Sequence, residues 1–171
     1  MSRSFSPAVT VAAVIEHDGR FLMVEEETAD GIRLNQPAGH LEAGESLVDA
    51  AVREVLEETA CRFTPQALVG VYLWRRDDVV TYLRLAFCGS VSPPIPGRAL
   101  DDGILRAPWL SADELRASAG RHRSPLVLRC VDDYLRGQRA PLELLFAHPA
   151  ALDAAVAAAT AVAPVEPGGA G

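Results

Sequence analysis

The chain carries no excess of positive charge. Its 16 Lys+Arg face 23 Asp+Glu, a net charge of −7, and no basic stripe runs along it. A nucleic-acid polymer is therefore not an expected partner. An acidic protein can still bind polyphosphates if metal ions supply the positive charge. Cysteine is scarce as well. Cys61, Cys88 and Cys130 show no close pairing, so reduced thiols used as small apolar filler, in a cytoplasmic setting, are expected rather than a disulfide framework. There is no Cys-x-x-Cys pair, and His17, His40, His122 and His148 are scattered, which argues against zinc. No segment reaches the roughly 18 apolar residues of a membrane span. No apolar run precedes the first strand, so neither a membrane partner nor a secretory signal is expected. Internal repeats are absent too. What is present is 171 residues, 49% hydrophobic and 23% charged, enough for one soluble domain with a proper core.

Ala8 to Ile15 is apolar and valine-rich and reads as a buried strand. Asp18-Gly19 is a hairpin signal, and Phe21 to Val24 returns as a second strand. Glu25-Glu26-Glu27 reads as a solvated strand end, with a metal or substrate role as the alternative. Thr28 to Arg33 reads as a polar loop. Leu68 to Trp74 and Val79 to Phe87 read as strands joined by the turn Arg75-Arg76-Asp77-Asp78. Ser92 to Gly97, with three prolines, is a loop, and Arg106 to Leu110 a short strand. Ser111-Ala112-Asp113-Glu114 is a capping box with a Leu110/Leu115 staple. A second helix starts at Ser124-Pro125, with Pro at its first position, and ends at Gly137. The domain is expected over residues 1–146. Residues 147–171 read as an Ala/Pro/Gly-rich tail, largely disordered, whose alanines could hold a short helix. Strands, a helix, more strands and then helices indicate an α+β layered fold.

One segment outweighs the rest. Residues 39–61 combine a glycine-bearing bend, a capped helix and Glu54, Glu57 and Glu58 at i, i+3 and i+4. That spacing brings three carboxylates within reach of one point, a site for a hard divalent cation. Ser46 is the N-cap, with Asp49 as a box-like partner. At 100° per residue Val48, Val52, Val55 and Leu56 fall on one side and the glutamates on the other. The acidic stripe is thus expected to face outward, with Arg53 bracing Asp49 and Glu57. A solvated acidic face is the bland alternative. Against it, Glu54 and Glu58 repel at i, i+4 without a cation, and Pro37-Ala38-Gly39 and Gly44 can bend backbone to aim a carbonyl at the same point.

The positions Gly39, Glu45, Arg53, Glu54, Val55, Glu57, Glu58, Ala60 and Cys61 resemble the signature of the Nudix hydrolases. That signature runs Gly, five residues, Glu, seven residues, then Arg-Glu-apolar-x-Glu-Glu-x-Gly-apolar. Ala60 stands where the family has Gly, which implies a helix end without a glycine cap. Gln36 to Glu42, Leu83-Arg84, Arg123 to Val127, and Gly137-Gln138-Arg139 with Pro141-Leu142-Glu143 are similar to the NudJ-type phosphatase branch.

The family resemblance implies a Nudix α/β/α sandwich with a mixed central β-sheet. It also implies Mg²⁺-dependent hydrolysis of phosphoanhydrides, with Mn²⁺ as a substitute. The branch implies orthophosphate release from nucleoside tri- and diphosphates, and action on thiamine pyrophosphate and hydroxymethylpyrimidine pyrophosphate. Glu54, Glu57 and Glu58 are the expected metal ligands, with the carbonyl of Ala38 or Gly39 as a further contact. Glu57 is either ligand or base through a bound water. Glu45 and Arg53 orient the set. The family varies in its base, and Asp101 and Asp102 are candidates, a plain turn being the alternative. Arg84 and Arg123 are candidate phosphate contacts. Trp74 or Tyr72 can stack on a ring, and Gln36 and His40 flank the bend. Each of these has a structural alternative, as strand surface or core. The expected partner is a small diphosphate or nucleotide, and the oligomer a monomer or homodimer. Two rival readings are a pyrophosphohydrolase for ADP-ribose, dinucleotide polyphosphates or oxidised dNTPs, and a Nudix-fold sensor without turnover.

Overall fold

The computed structural model of the chain describes residues 5–153. In chain order the elements are β1 (Ala8–His17), β2 (Arg20–Leu22), β3 (Val24–Thr28), β4 (Gly31–Asn35), β5 (Ala38–His40), α1 (Leu47–Thr59), β6 (Phe63–Arg75), β7 (Thr81–Val91), β8 (Ile104–Arg106), β9 (Trp109–Ser111), α2 (Ala112–Ala117) and α3 (Leu126–Leu135). The main sheet runs β6-β7-β1-β2-β9, with β5 also on β1, and a smaller sheet runs β4-β3-β8. β1 lies parallel to β7 and antiparallel to β5 and β2, so the main sheet is mixed.

Alternation along the two central strands builds both faces. Val11, Ala13 and Ile15, with Leu85 and Phe87, meet Ala50, Ala51 and Val55 of α1. On the opposite face Val14, Ala86 and Cys88 meet Leu115 of α2 and Val127, Cys130 and Val131 of α3. The result is an α/β/α sandwich. Phe87 is fully buried, and truncating such a side chain costs about 3–5 kcal/mol. All three cysteines are buried and free. No helix among the described residues is long and apolar enough to cross a membrane.

Several sequence expectations change here. Asp18 and Gly19 both take positive φ in the β1–β2 turn, as a two-residue hairpin requires. The second strand does not run through Val24, however. The chain leaves the main sheet at Met23, whose N–H bonds Pro108 O at 2.9 Å, and continues as β3 in the smaller sheet. The expected loop over Thr28 to Arg33 is instead a hairpin, with Thr28 paired to Gly31 and Gly31 at φ 94° supplying the turn. The expected strand over Arg106 to Leu110 divides into β8 and β9, which belong to different sheets. The central hairpin strands extend further than alternation alone indicated, to Phe63 and Val91. The Ser111 capping box is present on both sides. Pro125 is the N-cap of α3 rather than its first residue. Beyond α3, Leu152 bridges to Gly44 and the Asp153 N–H bonds Gly44 O at 2.8 Å. The rest of the expected tail lies outside the described residues.

Candidate active site

α1 starts where Ser46 accepts the Asp49 N–H at 3.1 Å, satisfying a donor the helix itself leaves open. Its acidic stripe does not face outward. Glu54 and Glu58 are only 9% and 8% exposed. The small side chains of Ala50 and Ala51 let the helix lie close to the sheet, and its next turns carry the two carboxylates beneath the β5 bend. Gly39 shapes that approach, because a Cβ there would overlap the Glu54 carboxylate. The helix ends at Ala60, which adopts the left-handed conformation (φ 60°) that glycine usually takes there. The turn therefore survives the loss of the glycine.

The Ala38 N–H donates to Glu58 Oε2 at 2.8 Å. The β1–β5 ladder explains why this group is available. Ala13 N–H bonds Pro37 O and Leu41 N–H bonds Val9 O, so Val11 and Gly39 form the hydrogen-bonded pair between them. Ala38 then turns its N–H and C=O away from β1. Of the two candidate carbonyls, Ala38's points off the ladder and Gly39's belongs to it.

Arg53 organises the cluster. It grips Glu45 in a fork, Nε to Oε2 at 3.0 Å and Nη2 to Oε1 at 2.8 Å. It also bonds Glu54 at 2.7 Å, Glu57 at 3.1 Å and the His40 carbonyl at 3.0 Å. The expected brace to Asp49 is absent, since Asp49 turns back to Ser46. Burial pushes the Glu58 carboxyl up to about 8, helped by the charges of Glu54, Glu26 and Asp101 and opposed by the Ala38 N–H. Burial raises Glu54 too, against the pull of Arg53. Burial also pushes Glu45 upward, but Arg53 and the Glu42 N–H outweigh it and hold that carboxyl low.

A donor set of oxygens only, with mutually repelling and partly desolvated carboxylates, fits a hard divalent cation. Arg53 draws Glu54 and Glu57 towards itself. Among the described residues no three acidic, His or Cys side chains close up as a preformed cage. Glu54, Glu57, Glu58 and the Ala38 carbonyl are the groups that could hold such an ion.

Beside the bend lies a cleft of about 240 Å³. Of the residues singled out in the sequence, Ala38, Gly39, His40, Trp74, Arg84 and Arg123 line it. Arg84 is buried, and burial pulls its pKa down. Its guanidinium makes long contacts, 3.4–3.5 Å, to the Asn35 and Gln36 carbonyl oxygens and lies beside the Cys130 thiol. Gln36 stands behind it and donates to Val127 O at 2.8 Å. Tyr72 is not in the cleft, because its hydroxyl donates to the buried Asp133 on α3 at 2.9 Å. Asp102 is exposed in the turn before β8. Its neighbour Asp101 is tied by its N–H to Glu57 O at 2.9 Å, which brings that loop to the end of α1.

Sequence reasoning passed over Thr10, Asn35 and Tyr82 as cleft residues, and it read the Glu25–Glu27 run first as a solvated end, with a metal or substrate role as the alternative. Glu25 is instead buried between Arg106 and Arg121. Glu26 lines the cleft, its carboxyl raised by burial against the pull of Arg123 and Arg84. Period-two alternation within the strand was the available signal. Tyr82 stacks on Trp74 with ring centroids 5.7 Å apart.

Residues 4–130 match the NUDIX domain. Over 141 residues the chain is 42% identical to the phosphatase NudJ of Escherichia coli (strain K12), covering 82% of this chain and 92% of that protein. A solved NUDIX hydrolase from Nitrosomonas europaea is 52% identical, with TM-score 0.81 over 84% of this chain and 98% of that one. A MutT NUDIX hydrolase from Burkholderia pseudomallei, 19% identical with TM-score 0.64 over 75% of this chain and 98% of that one, shares the fold.

Proposed function

The chain belongs to the NUDIX family and is a hydrolase of phosphoanhydrides, and from that premise we propose a divalent-cation-dependent phosphatase that releases orthophosphate from nucleoside tri- and diphosphates. Thiamine pyrophosphate and hydroxymethylpyrimidine pyrophosphate are its further substrates. One observation carries this reading. Ala38, whose N–H bonds the Glu58 carboxylate from the cluster beneath the β5 bend, lines the same cleft as Arg84 and Arg123. A phosphoanhydride needs both, cations on its oxygens and a set of anions that hold a metal. The name of the 42% identical relative, a phosphatase, supports orthophosphate as the product.

Glu54, Glu57, Glu58 and the Ala38 carbonyl would hold Mg²⁺, or Mn²⁺ in its place. Such an ion, when bound, supplies charge neutralisation and a more acidic water. Arg53 and Glu45 keep the glutamates aimed, and Gly39 acts by leaving room for Glu54 rather than as a ligand. Arg84, desolvated and held by long contacts to Asn35 and Gln36, keeps donors for a phosphate oxygen. Arg123 lines the cleft beside Glu26. Trp74 offers a ring face, while Tyr72 supports α3. Glu57 accepts the proton from the attacking water, or Asp101 or Asp102 does so from the loop tethered to its carbonyl. We place this activity within residues 1–146, in the cytoplasm, in a monomer or homodimer.

Product analysis tests the reading. With Mg²⁺ and a nucleoside triphosphate, orthophosphate is the expected product. Pyrophosphate with the monophosphate would instead favour a pyrophosphohydrolase.

A further inference from the structure

Two buried oxygens in the described residues have no hydrogen-bond partner, Thr10 Oγ1 and Glu26 Oε1. Both belong to side chains that line the same cleft. Buried polar atoms are nearly always paired, and leaving one unpaired is costly. Neither is unpaired through exposure. Thr10 is 6% exposed, and the Glu26 side chain is 20% exposed. Arg123 Nε lies 3.5 Å from Glu26 Oε1, close enough to attract the charge but too long for a hydrogen bond.

The sheet register places these oxygens against the rest of the cleft. Thr10 is opposite Arg84 on β7 and opposite His40 on β5. Two residues along, on the same face, Tyr82 is opposite Trp74, and their rings lie within 16° of parallel. The cleft therefore has an aromatic wall, an arginine beside it, and two oxygens that lack a donor. The arginines suit phosphate oxygens. They balance the charge of Glu26, but they donate no hydrogen bond to its Oε1 or to the Thr10 hydroxyl.

We infer that Thr10 and Glu26 determine specificity for the organic part of the substrate, selecting a nitrogen heterocycle whose exocyclic amino group donates to one or both of these oxygens. The heterocycle then lies against the Trp74–Tyr82 wall. This rests on the phosphoanhydride reading for the position of the phosphates. The heterocycle contact itself is read by binding, independently of turnover.

The test is calorimetric titration, in Mg²⁺, with the non-hydrolysable α,β-methylene analogue of cytidine diphosphate. A second ligand is the same molecule with hydrogen in place of the 4-amino group. Wild-type protein is expected to bind the amine-bearing ligand about tenfold more tightly, the size of one recovered hydrogen bond. In Thr10→Val and Glu26→Leu, each of which removes an acceptor, that ratio shrinks, and in the double variant it falls to about one. The ratio of two dissociation constants is unaffected by a general loss of folded protein. A wild-type ratio near one, a ratio unchanged in the double variant, or no binding of either ligand overturns the inference. Failure of the enzyme to hydrolyse any nucleotide, with the binding ratio intact, would overturn the phosphatase reading alone.

Discussion

Glu58 accepts the backbone N–H of Ala38 at 2.8 Å, so the carboxylate at the centre of the acidic cluster also pins α1 to the β5 bend. The bond does not offset the burial of the charge. The Glu58 carboxyl stands near 8, raised first by burial and then by Glu54, Glu26 and Asp101.

A pH dependence follows. An unfolded glutamate titrates at about 4.3, so between that value and about 8 the folded state holds more protons than the unfolded one. Stability of the metal-free protein therefore falls as pH rises through this window. Glu54 and Glu26, also raised, act in the same direction. Thermal melting in chelator at pH 6 and pH 8.5 should show a lower midpoint at the higher pH. The drop should be smaller in Glu58→Gln, and added Mg²⁺ should restore the wild type. A wild-type midpoint that does not move would contradict this.

Arg53 holds Glu45 through a two-point fork while also reaching Glu54 and Glu57. Lysine keeps the charge and loses the planar fork. Arg53→Lys should lower kcat by about 10- to 100-fold and raise the Mg²⁺ concentration needed for half-maximal rate. Steady-state kinetics across a metal titration checks it. An unchanged metal requirement would mean that Arg53 acts only on the fold.

Gly39 has no side chain where one would strike the Glu54 carboxylate. Its backbone is not in the left-handed region, so alanine is tolerated conformationally and acts through that contact alone. Gly39→Ala should weaken apparent Mg²⁺ affinity about tenfold or more with an unchanged circular dichroism spectrum. Affinity equal to wild type would show that Glu54 moves aside at no cost.

What could be read in the sequence was local. Ser46 and Ser111 cap helices through bonds to residues three positions away, and in the Asp18-Gly19 turn the Gly19 N–H donates to the Glu16 side chain, also three positions away. The spacing of Glu54, Glu57 and Glu58 likewise needs only the helical repeat. What could not be read depended on distant partners. Glu25 is buried because Arg106 and Arg121, 81 and 96 residues away, close over it. The hairpin of β3 and β4 exists through cross-strand pairing, and its polar residues alone suggest a loop. The outward acidic stripe was wrong because helical periodicity says which residues share a face, not which face a neighbouring strand will cover. Tyr72 and Trp74 share a face of β6, yet only Trp74 reaches the cleft, since α3 presents Asp133 to Tyr72.

Ala60 holds a conformation that disfavours a Cβ. Ala60→Gly relieves that strain but gives up a buried methyl and adds backbone freedom to the unfolded chain. About 1–2 kcal/mol of strain relieved is set against about 0.5–1 for backbone freedom and about 0.8 for the methyl, so the expected net change is close to zero. Urea unfolding of the two proteins measures it, and a loss of 1 kcal/mol or more would show that the methyl's packing dominates.

The central claim is that the carboxylates beneath the β5 bend hold the divalent cation through which phosphoanhydrides are cleaved. Orthophosphate release by the wild type and by Glu54→Gln/Glu58→Gln, each titrated with Mg²⁺ and checked for folding by circular dichroism, tests it most directly. Turnover should require the cation in the wild type and fall by about a thousandfold or more in the folded double variant. A double variant that still releases phosphate at the wild-type rate, with the same Mg²⁺ dependence, would contradict the account.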